Sequence, residues 1–282
     1  MKLIEPFCSG RELQSEIDNA DPGDDLLIWW LGQSGFLLKS ASGRVLFDPY
    51  LSDSLTKKYT ETDKPHVRLT RLAIAPADLH AIDVVTSSHN HTDHLDAETL
   101  VGVFASNPAA SFVIPEANRK FVAERLGCDH TWPRGLSDGE SLACGKIIIY
   151  AVPAAHNTID RDEHGRCHHL GYVVQVDGFS FYHSGDTLYY EGMADLLRPF
   201  AIDVALLPIN GNRPERRVAG NLFGDEAAEL AKEIGARLVI PCHYDMFEFN
   251  TESPALFMES CERLQQGYKV LQCGERLTVS RK

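Results

Sequence analysis

Ser87–Asp96 has the sequence SSHNHTDHLD, a short run rich in side chains that bind cations. Neutral imidazole nitrogen and carboxylate oxygen are ligands that Zn²⁺ and its first-row neighbours accept. A histidine-rich polar loop on the surface is the alternative interpretation, but the order of histidine and aspartate favours a metal site. Four side chains of this run are candidate ligands: His89, His91, Asp93 and His94.

The segments on either side of this run predict that it forms a tight turn. Ile82–Thr86 is a short β-branched apolar segment, typical of a buried strand. Leu95–Phe104 has apolar residues at helical spacing and predicts a helix. One ion rarely takes four ligands from so short a turn, so the pattern predicts two ions side by side. The His-x-His pair would bind one ion, and the adjacent Asp-His pair the other.

The composition predicts one domain over residues 1–282. Hydrophobic residues make up 44% of the chain, enough for a large core, and no linker or internal repeat separates two halves. The formal net charge of −13 argues against a nucleic-acid footprint, which needs a basic face. The seven scattered cysteines fit free thiols in a reducing cytosol. Because no stretch approaches the ~20 apolar residues of a membrane span, a cytoplasmic protein is expected.

Strand and helix patterns alternate along the whole chain. Leu26–Leu31 and Ile147–Val152 predict strands, Asp225–Ile234 predicts a helix, and Tyr268–Gln272 predicts a strand near the end. Strand-rich halves with interspersed helices favour two sheets with helices on their outer faces over a doubly wound parallel sheet. The mixed polar segment Leu51–Ala77 predicts a long irregular loop of the kind that covers a site.

Four more candidate site residues follow predicted strands. His156, Asp186 and His243 each lie where a strand gives way to a loop, the position where α/β scaffolds display chemistry. Each alone is explained as well by a structural histidine or a turn, but together they complete a two-metal ligand set. Asp48, before Pro49, is either an Asx-type turn or a carboxylate that orients a ligand histidine through its second ring nitrogen. We favour the second interpretation.

In this order the residues resemble the motifs of the metallo-β-lactamase superfamily. The His-x-His-x-Asp-His run resembles its second motif, and the later histidine, the Gly-Asp-Thr at 185–187 and the final histidine resemble its third, fourth and fifth. The resemblance covers nearly the whole chain and implies an α/β fold, an αββα sandwich with a dinuclear metal site at the sheet edge. It implies one metal on His89, His91 and His156, a second on Asp93, His94 and His243, and Asp186 bridging both.

A closer resemblance is to the ascorbate 6-phosphate lactonase branch of that superfamily. It is carried by WWLG at 29–32, HSGD at 183–186 and IPCHYD at 240–245. That branch hydrolyses a phosphorylated sugar lactone and is usually associated with manganese. The resemblance implies a lactone or other ester as substrate, two divalent ions (Zn or Mn, with Fe as an alternative) and attack by a metal-bound hydroxide. Asp93 and Asp186 are the expected catalytic carboxylates, with Asp186 relaying the proton.

Contacts to the substrate are expected from two places in the sequence. Arg213, Arg216 and Arg217, in the loop NGNRPERR, suit an anionic group. The alternative is that these arginines pair with nearby glutamates. Asn157 and Tyr244 lie beside ligand histidines and are the other candidates, with packing as the alternative role.

Other functions and partners follow from the same residues. A phosphodiesterase or phospholipase D-like hydrolase would use the same centre, and a di-iron redox protein is a non-hydrolytic alternative. A small molecule is the expected substrate, nucleic acid and a membrane span are not expected, and a homo-oligomer is left open. His169 and His183 are expected to be structural histidines.

Overall fold

Two sheets, each flanked by helices, make up the computed structural model, which describes residues 2–281. The prediction of one domain over residues 1–282 therefore includes two residues, Met1 and Lys282, that lie outside the described range. The strands are β1 Leu26–Gly32, β2 Gly35–Ser40, β3 Gly43–Phe47, β4 Val84–Thr86, β5 Ser111–Pro115, β6 Arg134–Leu136, β7 Ser141–Cys144, β8 Ile147–Pro153, β9 Leu170–Val176, β10 Phe179–His183, β11 Val204–Pro208, β12 Leu238–Cys242 and β13 Arg276–Val279.

The α-helices are short, and most of them pack on the outer faces of the sheets. None of the helices within residues 2–281 combines the length and the apolar character that crossing a bilayer would require. The helices are α1 Gly10–Asn19, α2 Ser54–Tyr59, α3 Ala97–Ser106, α4 Arg119–Leu126, α5 Met193–Leu197, α6 Gly224–Glu233 and α7 Ala255–Leu264.

The order of the strands brings several strand ends to one edge. The first sheet has the order β13-β1-β2-β3-β4-β5-β6, and the second has the order β12-β11-β10-β9-β8-β7. In the second sheet β8, β9 and β10 pair antiparallel, whereas β10, β11 and β12 pair parallel. The strands β8, β10 and β12 therefore run in the same direction, and their carboxyl ends lie on the same side of the sheet.

Strand β1 shows why the sequence forms a four-layer sandwich. All its residues are buried, so it is covered on both faces. Ile28 and Trp30 belong to the core cluster that also contains residues of the second sheet. Leu27 and Trp29 point the other way, into a cluster that includes Leu13 of α1. This period of two separates an inter-sheet core from a sheet–helix core and confirms the predicted αββα arrangement.

Two local predictions need correction. Tyr268–Gln272 is not a strand, because it makes only an isolated bridge from Tyr268 to Val239 before the backbone turns away. There the Gln272 N–H donates to the Glu275 carboxylate at 2.8 Å instead of to a neighbouring strand. The segment Leu51–Ala77 is not wholly irregular, since it contains helix α2.

Candidate metal centre

The candidate ligands come from the carboxyl ends of strands in both sheets. The histidine-rich turn follows β4 of the first sheet, whereas His156, Asp186 and His243 follow β8, β10 and β12 of the second. The turn and the second sheet meet closely at Gly185, which has a φ of 60°. A Cβ atom there would lie 2.6 Å from the Cβ of Ser88, so only glycine permits this approach.

The structure brings all seven predicted ligands together. They form three overlapping groups, and within each group the ligand atoms lie within 4.8 Å of one another. We call the first group, His89, His91 and His156, the histidine half, and the group Asp93, His94 and His243 the mixed half. The remaining group joins His89, His94 and Asp186, so it links the two halves.

Hydrogen bonds to the second ring nitrogen orient two of the histidines. The Nδ1 of His94 donates to Asp48 Oδ2 at 2.7 Å, and the Nδ1 of His156 donates to the Gly220 carbonyl at 3.0 Å. Each bond fixes the orientation of the ring and directs Nε2 toward the centre, so that the neutral form of the ring presents its lone pair there. Asp48 therefore makes the contact expected of a carboxylate that orients a ligand histidine.

Asp48 is itself held from several directions. It is fully buried and accepts hydrogen bonds from Thr86 Oγ1 at 2.9 Å and from the Ser88 backbone N–H at 3.1 Å. Burial raises the pKa of this carboxyl, but His183 and His94 outweigh burial and keep the pKa below its usual value. The carboxylate is therefore ionised, and it can serve as a fixed acceptor for His94.

Asp186 lies between the two halves. Its Oδ1 is 3.2 Å from His94 Nε2, and its Oδ2 is 3.3 Å from His243 Nε2 and 3.7 Å from His156 Nε2. Burial raises the pKa of Asp186, but the neighbouring His94 and His243 hold it well below the usual range. This position is the one that a ligand shared by two ions would occupy.

The charges of the two halves differ in the metal-free state. Burial lowers the pKa of His89 and of His156, which favours neutral rings in the histidine half. Burial also lowers the pKa of His243, but Asp186 and Asp93 outweigh burial and raise that pKa to about 9. The histidine half is therefore neutral, whereas the mixed half pairs carboxylates with protonated imidazole.

Unpartnered buried atoms provide a test of whether metal ions fit here. His89 Nε2 is buried and finds no hydrogen-bond partner among residues 2–281, and His94 Nε2 and Asp186 Oδ1, although 3.2 Å apart, make no hydrogen bond with each other or with any other described residue. Buried polar atoms are almost always paired, so three unpaired atoms at one point require another partner. Imidazole nitrogen with carboxylate oxygen suits zinc, manganese and iron. The residues present therefore fit divalent ions.

A cavity of about 210 Å³ opens above these groups. The candidate ligands form its floor, and an aromatic wall and two basic side chains, Lys58 and Arg125, stand around it. The aromatic wall consists of Tyr59, His66, Phe247 and Phe249, with His66 stacked on Tyr59 at 4.2 Å between ring centroids. No carboxylate among the described residues lines this cavity except Asp93 and Asp186.

The three arginines predicted to contact substrate do not line this cavity. Arg213 and Arg216 both pair with the Glu252 carboxylate, and Arg217 pairs with Asp63 at 2.8 Å. These contacts correspond to the alternative in which the arginines pair with acidic neighbours. Substrate contact by the arginines stays a prediction that this geometry does not favour.

Asn157 and Tyr244 also have other partners. Asn157 Oδ1 accepts a hydrogen bond from the Gly220 backbone N–H at 2.9 Å, next to the bond that orients the candidate ligand His156. Tyr244 is buried, its hydroxyl donates to the Leu271 carbonyl at 2.6 Å, and its ring lies 4.6 Å from Trp30. Neither side chain lines the cavity, so substrate contact by either residue stays a prediction.

Two residues near the centre were not identified as site residues from the sequence. Gln33, in the turn after β1, places its amide beside Asp93 and His243, and a glycine-rich turn gives no signal of this. His169, expected to be structural, lies 5.1 Å from His89 between ring centroids. The antiparallel pairing of β8 with β9 places the start of β9 next to the end of β8, and this pairing could have located His169.

Comparisons with known proteins agree with the fold. A family model described as a β-lactamase superfamily domain matches residues 43–244. A UPF0173 metal-dependent hydrolase from Pelotomaculum thermopropionicum is 30% identical over 258 residues, covering 89% of this chain and 99% of the relative.

Two solved structures share the fold at lower sequence identity. Igni18, a metallo hydrolase from Ignicoccus hospitalis, is 21% identical with a TM-score of 0.67, covering 92% of this chain and all of its own. CmlA, a diiron β-hydroxylase from Streptomyces venezuelae, is 17% identical with a TM-score of 0.64, covering 93% of this chain and 55% of its own. At these identities the likeness shows the fold alone. By the family model and the 30% relative, this chain belongs to the metallo-β-lactamase superfamily.

Proposed function

We propose that this protein is a metal-dependent hydrolase that opens a lactone or another ester of a small anionic molecule. The observation that carries the proposal is the convergence of five histidines and two aspartates at the floor of an open cavity. A closed structural site needs only four ligands and leaves no access for a substrate. Relatives described as metal-dependent hydrolases support the same reaction class.

The residues divide the work at this centre. The histidine half and the mixed half would each hold one divalent ion, and Asp186 would be available to both. Two such ions, when bound, lower the pKa of water and polarise a carbonyl or phosphoryl oxygen. Asp186 and Asp93 are ionised at neutral pH, because histidines hold the pKa of each below its usual value. Both carboxylates therefore offer proton-free oxygens to the centre, and Asp186, which has the more central position, is the one placed to relay a proton.

The cavity supports a substrate with a negative charge. Lys58 is exposed and, among the described residues, pairs with no carboxylate; its ammonium group lies 5.0 Å from the centre of the Tyr59 ring. Arg125 uses one guanidinium nitrogen to donate to the Asn90 carbonyl at 2.7 Å and to the Leu95 carbonyl at 3.2 Å. In a protein of net charge −13, two cations beside a cavity with no acidic wall favour an anionic substrate.

The main experiment measures hydrolysis of sugar-phosphate lactones and of phosphodiesters by the metal-free protein reloaded with Mn²⁺ or Zn²⁺. We expect metal-dependent lactone opening with phosphodiesters inert. Cleavage of phosphodiesters alone would keep the metal centre and replace the lactonase proposal with a phosphodiesterase. If neither class reacts with either metal, the proposed substrate class is wrong.

A substitution of Lys58 tests the anionic substrate separately. We expect Lys58→Ala to raise KM for a phosphorylated lactone and to leave KM for an uncharged lactone unchanged, because only the charged contact is lost. Lys57→Ala is the matched control, since Lys57 pairs with Glu98 at 2.8 Å and does not line the cavity. Equal effects of the two substitutions would contradict a role for Lys58 in binding the substrate.

A further inference from the structure

We propose that Gln33 is a further metal ligand, with its side-chain carbonyl oxygen completing the mixed half of the centre. This inference rests on the metal-dependent function proposed above. The Gln33 side chain is 1% exposed, and its Nε2 lies 2.8 Å from Asp93 Oδ2 and 3.1 Å from His243 Nε2. One amide therefore contacts two of the three members of the mixed half.

The backbone holds Gln33 in this position. Gln33 has a φ of 51°, a left-handed conformation that a non-glycine residue keeps only where its surroundings impose it. Its carbonyl accepts hydrogen bonds from Trp30 Nε1 at 2.9 Å and from the His243 backbone N–H at 3.0 Å. The turn after β1 is thus tied directly to the residue that follows β12. These bonds fix the backbone position from which the buried amide projects toward the centre.

The amide has an unsatisfied oxygen, and its nitrogen faces a metal-binding atom. Gln33 Oε1 is buried and has no donor among residues 2–281. The Nε2 of a neutral histidine has one lone pair, so His243 cannot both bind an ion there and accept a hydrogen bond from Gln33. With an ion in the mixed half, the contact between the two nitrogen atoms is lost.

A half-turn of the amide about its last side-chain bond removes this conflict. That torsion is broad and roughly two-fold, so the two orientations have similar intrinsic energies. Oε1 then takes the place of Nε2 beside Asp93 Oδ2 and His243 Nε2. Two oxygen acceptors at that distance repel each other unless a cation lies between them, and the mixed half is where such a cation is expected.

The added oxygen gives the two halves different metal preferences. The histidine half offers three imidazoles, which suit zinc. The mixed half would offer two imidazoles together with the oxygen atoms of Asp93 and Gln33. Carboxylate and carbonyl oxygen suit harder ions such as Mn²⁺. We therefore predict that the mixed half prefers a harder first-row divalent ion than the histidine half.

The test measures metal binding, without reference to turnover. Mn²⁺ is added to the metal-free forms of the wild type, Gln33→Leu and Gln33→Glu, and binding is measured by electron paramagnetic resonance and calorimetry. The calorimetric titration is then repeated with Zn²⁺. Gln266→Leu is the matched control, because Gln266 is also buried but donates to the distant Ala236 carbonyl at 2.8 Å. Melting temperatures show that each variant folds.

We expect wild type and Gln266→Leu to bind two ions. We expect Gln33→Leu to lose at least about tenfold in affinity at one site, as for loss of other groups around a metal, with the second site unchanged. Gln33→Glu keeps an oxygen and adds a charge, so we expect it to bind Mn²⁺ at least as tightly as wild type.

Three results would overturn the inference. Unchanged binding of both ions by Gln33→Leu would remove Gln33 from the ligand set. Equal losses in Gln33→Leu and Gln33→Glu would show that Gln33 acts as a hydrogen-bond donor to Asp93 instead. If the wild type binds a single ion, both the inference and the dinuclear centre are wrong. If the wild type binds two ions and Gln33→Leu gives either of the two results above, only the role of Gln33 is wrong and the proposed function stands.

Discussion

The histidine half and the mixed half lie side by side, yet their surroundings shift the pKa of the histidines in opposite directions. His156 in the histidine half is buried, which lowers its pKa, and its Nδ1 faces only a backbone carbonyl. His94 in the mixed half is buried too, but Asp186, Asp93 and Asp48 raise its pKa well above the usual value. In the metal-free protein, the number of nearby carboxylates therefore determines whether a buried imidazole is neutral or protonated.

This difference affects how each half acquires an ion. A ligand histidine must lose its proton before Nε2 can bind metal. The histidine half is already neutral near pH 7, so an ion meets free lone pairs there. In the mixed half an ion must displace at least one proton, although the carboxylates then favour the bound cation. We expect the two halves to fill in a pH-dependent order.

The largest effect is expected from removal of one ligand in either half. His91→Ala and Asp93→Asn should each reduce turnover by more than about 100-fold, because loss of supporting groups around a metal already costs 10–100-fold. Folding should be retained, since His91 is exposed. Turnover and circular dichroism measure the two properties, and His164→Ala, at an exposed histidine outside the centre, is the control. Retained activity in either variant would remove that half from the catalytic centre.

The next effect is the pH dependence of metal affinity. Burial lowers the pKa of His243, but Asp186 and Asp93 raise it to about 9, above the ordinary value of 6.5. Affinity of the mixed half should therefore rise by at least about tenfold per pH unit below pH 9, since His94 must lose a proton as well as His243, whereas that of the histidine half should level off near pH 7. Calorimetry in two buffers of different ionisation enthalpy counts the released protons. Equal proton release from both halves would contradict the comparison.

The same shift predicts a change in the stability of the metal-free protein. Because the folded-state pKa of His243 is raised, its charged pair stabilises the fold fully below pH 6.5. That contribution is lost as the pH rises through 9. Melting temperatures of metal-free and metal-loaded protein across this range separate the effect from metal binding.

A smaller effect is expected from Asp48→Asn, which keeps the size of the side chain but removes its charge. His94 would lose its anionic acceptor, so affinity of the mixed half should fall 10–100-fold while that of the histidine half changes less. Asp177→Asn is the matched control, because that carboxylate accepts hydrogen bonds from Ser42 outside the centre. Equal losses in both halves would show that Asp48 supports the whole centre.

Much of the fold and of the centre follows from local sequence. The β-branched run before the histidine-rich turn, the apolar stretch of β1 and the helical spacing of α3 predict elements that the structure contains. The seven candidate ligands were predictable because each has an unusual residue type at the end of a strand. These signals depend only on residue type and neighbours along the chain.

The cavity walls were not predictable in the same way. Lys58 and Arg125 lie in ordinary polar helix positions, and only packing of distant segments brings them to the same opening. The arginines at 213, 216 and 217 have the stronger sequence signal, yet acidic residues far along the chain pair with them. Gln33 likewise depends on contacts more than 200 positions away in sequence. Contacts of this range require the folded structure.

The strand ends that carry the ligands are separate from the segments that surround the opening. The candidate ligands follow strands of both sheets, whereas α2 and the residues near 218 and 249 form much of the wall and supply no candidate ligand. Changes in those segments can therefore alter which molecules enter while the reactive floor stays intact. For a protein engineer, randomising the wall is a route to new substrates that leaves the chemistry in place.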